Sequence, residues 1–354
     1  MSDLRFLFSL IRAVLLASLL LPAGALAEDR LLFAVDVIRH GDRTPLSELP
    51  AAPHRWEQGL GQLTGRGMRQ EYELGARMRT VYVDRYHLLP SSYTAGTLYA
   101  RSTDIDRTLM SAECFLTGLY PPGTGPRVAD SDQPGLPDAL QPIPIHTVDR
   151  SEDVLNPKIT PEEIDALKAR TLFSSPEWKR ESAAVVPKFA AWSKATGVTL
   201  TSLEQLIGLS DTFLIYGLYH IPAPQGLSDE DVRTIVTAGR WAFAESFQPA
   251  EIGRLLGRGL LRDVADRLRQ AGAGKSRLKY VLFSAHDSTL LAAMSALGAP
   301  LTAAPPYASR LNFALFDDGH GGLRVEISYN DQPVTVPACG AASCSLARFV
   351  ESAK

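Results

Sequence analysis

From Leu31 to Ile38 the chain runs Leu-Leu-Phe-Ala-Val-Asp-Val-Ile, a nearly unbroken apolar stretch that predicts a buried strand. It stops abruptly at the polar, turn-forming Arg39-His40-Gly41-Asp42-Arg43-Thr44-Pro45. Thr64–Tyr82 then shows the spacing of an amphipathic helix, Thr97–Ala100 a second short strand, and Asp104–Leu119 another helix ended by Pro121-Pro122-Gly123. Strand, helix, strand, helix implies a parallel sheet.

Between Gly125 and Gly274 the strand pattern nearly vanishes. Helical spacing recurs at Pro161–Arg170, Pro176–Ala195, Thr201–Leu218, Asp229–Ala244 and Glu251–Gln270. Strands return at Leu278–Phe283, Arg310–Phe316 and Leu323–Tyr329, with a helix at Ser288–Leu297. The expected organisation is an α/β core formed by residues 28–124 and 275–354, interrupted by an α-helical cap at 125–274. Its sheet should be mostly parallel and doubly wound, with helices on both faces.

The first residues change the picture of location. Arg5 and Arg12 precede the apolar run Ala13–Leu21, which reaches Pro22 and then Ala25-Leu26-Ala27. This is the order of a cleavable signal peptide, residues 1–27, and the run is short of the about 20 apolar residues that span a bilayer. A periplasmic or secreted protein with no stable membrane anchor is expected. Asn156, Asn312 and Asn330 do not open Asn-X-Ser/Thr acceptors, which favours a bacterial periplasm.

The net charge is −3 and charges of both signs are interspersed, so the footprint of a nucleic-acid binder is missing and no nucleic-acid partner is expected. A homodimer is compatible with the chain. Of three cysteines, Cys339 and Cys344 are close enough to close a short loop in an oxidising compartment, whereas Cys114 lies in an apolar helical stretch and reads as a buried small residue.

Three segments carry candidate chemistry. In the first, His40 stands between Arg39 and Arg43 directly after a buried strand. Guanidiniums match phosphate oxygens and a neutral imidazole nitrogen can attack phosphorus, although the segment also reads as a charged surface turn. In the second, Arg101-Ser102-Thr103-Asp104 follows a short strand, placing Arg101 at the same sheet edge, ahead of Arg107, for which a salt bridge is an equal reading. In the third, His286 and Asp287 follow an apolar strand and open a helix, where phosphate binds readily. A carboxyl group beside bound phosphate titrates upward, so Asp287 suits a general acid, or else simply caps the helix.

Competing signals fail on context. Gly272-Ala273-Gly274-Lys275-Ser276 resembles a P-loop tail, but Arg269 replaces the leading glycine and the segment lies between a helix and a strand, the reverse of the required order. There is no His-Glu-x-x-His, paired Cys-x-x-Cys or Gly-x-Ser-x-Gly, so metal and serine-hydrolase chemistry lack support and no cofactor is expected.

Taken together these segments resemble the histidine acid phosphatase family, the secreted branch of the histidine phosphatase superfamily. Leu63 to Met68, Tyr72 to Gly75, Arg101 to Ser111 and Pro306 to Ser309 are similar in order and spacing, as is the Cys339/Cys344 pair before Leu346. The resemblance implies a phosphoglycerate-mutase-like fold and an acid phosphatase acting on small phosphate monoesters. It also implies His40 as nucleophile, Asp287 as acid, Arg39, Arg43, Arg101 and His286 as phosphate ligands, and a Cys339–Cys344 disulfide. A phytase-like enzyme and a non-catalytic exported phosphate-ester binding protein are the alternatives. The cap, which matches the family poorly, leaves substrate preference open.

Overall fold

The structure, a computed structural model, describes residues 29–354, so the expected signal peptide at 1–27 lies outside the described residues. In chain order it contains β1 (Arg30–Arg39), α1 (Gly65–Arg79), β2 (Leu98–Ser102), α2 (Asp106–Leu119) and β3 (Ile145–His146). A helical region follows with α3 (Pro161–Thr171), α4 (Pro176–Val185), α5 (Phe189–Thr196), α6 (Leu206–Leu218), α7 (Asp229–Glu245) and α8 (Ala250–Gly272). The chain ends with β4 (Tyr280–Ala285), α9 (Asp287–Ala296), β5 (Arg310–Asp317), β6 (Leu323–Tyr329), β7 (Gln332–Pro333), β8 (Ser343–Ser345) and α10 (Leu346–Ser352).

One sheet has the order β3-β2-β4-β1-β5-β6-β7, with β8 added beside β6. β3, β2, β4 and β1 are parallel, and β5 turns the sheet antiparallel on the far side of β1. Strand β1 is therefore central, paired on both edges and covered on both faces, which explains its almost continuous apolar sequence. Helices α1 and α2 cover one face through Leu74, Met78, Ala112 and Phe115. Helices α8, α9 and α10 cover the other through Leu260, Val264, Leu290 and Phe349.

The polar exception in β1 is fully satisfied. Asp36 is completely buried and accepts from the hydroxyls of Tyr82 (3.0 Å) and Tyr280 (2.9 Å), Arg310 Nη1 (2.6 Å) and Asn312 Nδ2 (2.9 Å). A buried carboxylate persists only with such partners, and this one ties α1's continuation, β4 and β5 to the central strand.

Helices α4–α7 build a separate apolar cluster around Trp178, Trp192, Leu206, Phe213 and Ile235, joined by Leu49 from the loop after β1. Helix α8 lies instead on the sheet side, where Gly253 and Gly257 let it approach α9: a Cβ on either would come within 2.1–2.3 Å of Ser295 or Ala292. Cys339 and Cys344 form a disulfide with Cα atoms 5.2 Å apart. Among the described residues no helix is long and apolar enough to cross a membrane.

Candidate active site

Register brings the three polar segments to one level. Arg39 pairs with Ala285 across β1 and β4, and Ser102 pairs with Ser284 across β2 and β4. The next backbone amides continue the alignment, with His40 N–H donating to Ala285 O at 3.0 Å and Thr103 N–H to Ser284 O at 3.2 Å. The crevice beyond the carboxyl ends of parallel strands is the usual ligand site of open α/β sheets. Here it is a cavity of about 390 Å³, and Arg39, His40, Arg43, His286 and Asp287 all line it.

The loop carrying these groups is fixed from behind. Gly41 and Gly67 sit back to back: a Cβ on Gly41 would lie 2.4 Å from Gly67 O, and one on Gly67 2.2 Å from Asp42 O. Asp42, buried beneath, accepts from Thr64 Oγ1 (2.6 Å) and from the Tyr219 hydroxyl. It anchors the loop and does not line the cavity.

His40 is 2% exposed, and its Nδ1 lies 2.8 Å from Gly41 O. A carbonyl only accepts, so Nδ1 carries the proton and Nε2 keeps its lone pair. Burial and then the neighbouring charges of Arg39, Arg43 and Arg107 hold the imidazole well below its ordinary pKa, so it stays neutral under acidic conditions.

Three guanidiniums surround it. Arg39 reaches Pro305 O and pairs with Asp287 Oδ2 at 2.7 Å, its guanidinium 4.2 Å from the Tyr307 ring centre. Arg43 forks onto Asp211 in α6, at 3.0 and 3.2 Å. Arg107, in the first turn of α2, places Nη2 3.5 Å from His286 Nδ1; burial and the adjacent Arg43 lower its pKa to about 10.

His286 caps α9 and its Nε2 lies 3.1 Å from Thr103 Oγ1. Arg107 can only donate, so Nδ1 accepts and Nε2 donates to Thr103. Burial, reinforced by Arg107, lowers this imidazole to about 4. Asp287 accepts Ser288 N–H at 2.8 Å. Burial favours its neutral form, but Arg39 and Arg43 outweigh that and hold the carboxyl below its ordinary value. A phosphate dianion on those arginines would reverse the balance.

Arg101 departs from the expectation. It lies within β2, and its side chain is held by Asp153 at 2.6 Å, with Asp263 of α8 at 3.9 Å, and is not part of the cavity lining. The residue that lines the crevice is Arg107, in the first turn of α2 beyond the end of β2, whereas Arg101, one residue before the last ladder pair, is captured by Asp153. The helical region also contributes, through residues that carry no sequence signal: Asp211, Arg240 and Phe243 line the cavity from α6 and α7. Asp211 follows Ser210 inside an apolar helix and carries no sequence mark of pairing with a residue 168 positions away.

The family model described as the histidine phosphatase superfamily (branch 2) matches residues 30–173 and 228–330. The chain is 34% identical to lysosomal acid phosphatase of Bos taurus over 333 residues, covering 90% of this chain and 76% of that protein. It is 34% identical to testicular acid phosphatase of Homo sapiens over 374 residues, covering 96% and 82%. Among solved structures, the apo form of the Hafnia alvei phytase superposes with a TM-score of 0.65 at 16% identity, covering 94% of this chain and 97% of that one. The fold of the Bifidobacterium longum multiple inositol polyphosphate phosphatase, solved with inositol hexasulfate, is similar with a TM-score of 0.57 at 14% identity, covering 92% and 94%. A neutral histidine ringed by arginines at the strand ends, on this fold and with this likeness, is that of a phosphatase: the chain belongs to branch 2 of the histidine phosphatase superfamily.

Proposed function

We propose that the chain is an exported acid phosphatase of broad specificity that hydrolyses phosphate monoesters through a phosphohistidine at His40. The observation that carries this is the fixed tautomer of His40: Nδ1 is committed to Gly41 O, which leaves Nε2 with a lone pair among Arg39, Arg43 and Arg107. Phosphate binds on those arginines, beside His286, which orients phosphorus for in-line attack. Nε2 bonds to phosphorus as the ester P–O bond breaks, and the departing oxygen takes the proton of Asp287. Water then enters from the side the alcohol left, gives a proton back to Asp287 and attacks phosphorus. The P–N bond breaks, and inorganic phosphate and neutral His40 result. The arginines supply the positive charge that these steps need.

Export is supported by the basic and apolar order of residues 1–27 and by the Cys339–Cys344 bond. N-terminal sequencing of the mature protein is expected to begin at Glu28; retention of residue 1 would contradict the signal assignment.

Proton bookkeeping sets the pH profile. In the free site Asp287 is held ionised by Arg39 and Arg43, so the proton it gives to the leaving group arrives with a monoanionic substrate. Phosphate monoesters lose that proton near pH 6, and kcat/KM should fall as pH rises above it. Because the pKa of His40 is depressed, the acidic limb should begin well below the ordinary imidazole value. The test is phosphate release from phenyl phosphate, glycerol phosphate, a phosphodiester and inositol hexakisphosphate, across pH and with excess chelator. Monoesterase activity that resists chelation and declines towards alkali is expected. An alkaline optimum abolished by chelator would contradict the mechanism, and a preference for inositol hexakisphosphate would favour the phytase-like alternative.

A further inference from the structure

Beyond the phosphate itself, the cavity holds features that the hydrolytic steps do not use. Five apolar side chains, Leu46, Ile105, Ile207, Leu214 and Phe243, line the same cavity as the arginines. Two further cations, Arg150 and Arg240, line the same cavity. Neither belongs to an ion pair among the described residues, and Arg240 makes one hydrogen bond, from Nη2 to Ala304 O at 3.3 Å.

Their attachments tie both to the segments that hold the general acid. The loop bearing Arg150 also carries Leu155, whose carbonyl accepts from Thr289 Oγ1 at 2.6 Å, in the helix that Asp287 opens. Ala304, which receives Arg240, precedes Pro305, whose carbonyl receives Arg39, the partner of Asp287. Charge in the cavity is unbalanced as well. Five arginines, at 39, 43, 107, 150 and 240, face two carboxylates, Asp211 and Asp287, and these are already engaged by Arg43 and Arg39. One phosphate dianion among Arg39, Arg43 and Arg107 leaves Arg150 and Arg240 without a counter-charge.

We infer that the leaving-group side of this cavity is a second subsite, in which Arg150 and Arg240 receive a further anionic group borne on an apolar, ring-sized body. This rests on the monoesterase reading above and names its preferred substrate class. An apolar wall with a few placed polar groups is how small-molecule sites combine affinity and orientation, and about 390 Å³ falls within their usual range. A forked guanidinium serves a carboxylate or a second phosphate equally well. A fully polyanionic ring, by contrast, would meet five apolar side chains with charges that they cannot solvate.

The test compares two substrates with the same leaving phenol and different remote charge: the phosphate monoesters of 3-(4-hydroxyphenyl)propanoate and of its primary amide. The wild-type enzyme should favour the carboxylate by on the order of 10-fold in kcat/KM, mainly through KM, as expected for one partly screened ion pair. The preference should shrink as salt is raised. In Arg150→Gln/Arg240→Gln the ratio should collapse to about one, and in Arg150→Glu, a change on an exposed loop, it should drop several-fold. A wild-type ratio near one, or a ratio that survives in the double variant, overturns the subsite. Replacing the carboxylate by a phosphonate separates a general anion site, which keeps the preference, from one confined to carboxylates. Failure to hydrolyse the amide substrate at all would instead count against the parent monoesterase reading.

Discussion

Replacing His40 by alanine is expected to reduce phosphate release by more than about 10⁴-fold, because removing a covalent nucleophile eliminates the reaction path itself and not one stabilising contact along it. The structure leaves little room for a substitute. The nearest imidazole, His286, is 5.6 Å away between ring centres, and its two nitrogens are occupied by Arg107 and Thr103. Cys114 lies outside the cavity, and burial pushes its thiol up to about 11. Substrate should still bind to His40→Ala, since Arg39, Arg43 and Arg107 take their positions from Asp287, Asp211 and the α2 backbone and not from the imidazole. Quenching wild-type enzyme during turnover of a ³²P-labelled ester should trap an acid-labile, base-stable adduct, and the variant should give none. Equal labelling of the two proteins, or near-normal turnover by the variant, would remove His40 from the nucleophile's role.

What could be read from the sequence follows the range of the forces involved. The central strand, the turn after it and the His286-Asp287 helix start are local: an apolar run, then a polar turn, then a cap are neighbours along the chain. Once three such strand ends are expected to be parallel, their crevice follows. Arg101 and Arg107 could not be ordered this way, because the choice depends on which of them lies past the last ladder bond and on Asp153, half a hundred residues downstream, which captures Arg101. The same limit applies to Asp36. A charged residue in a buried strand reads as an interruption until Tyr82, Tyr280, Arg310 and Asn312 arrive from three other segments. Helical spacing marks the individual helices between β3 and β4, yet α8 is indistinguishable from α7 by pattern, although one packs on the sheet and the other against α6. Only the contact partners differ, and amphipathic periodicity does not encode them.

Asp287 gives the most discriminating second result. It opens α9 beside His286, its Oδ2 is 2.7 Å from Arg39, and the other carboxylate lining the cavity, Asp211, is forked onto Arg43. Asp42, the acid of the first motif, is buried beneath the loop as acceptor for Thr64 and Tyr219. Positioned acid catalysis contributes about 10²–10⁴-fold, but only where the leaving group needs a proton. An alkyl phosphate expels a strongly basic alkoxide, whereas a nitrophenyl phosphate expels a stable phenolate. Asp287→Asn should therefore slow the alkyl ester by about 10²–10⁴-fold and the nitrophenyl ester far less, with the ratio of the two losses as the measured quantity. Asparagine keeps the shape of the carboxylate but cannot offset Arg39, so some change in substrate KM is expected for both esters alike and cancels in that ratio. If both esters slow equally and their KM values rise together, Asp287 serves to hold Arg39 and cap α9. The proton would then have to come from the substrate or from Asp211, and an Asp211→Asn variant showing the alkyl-selective loss would identify the latter.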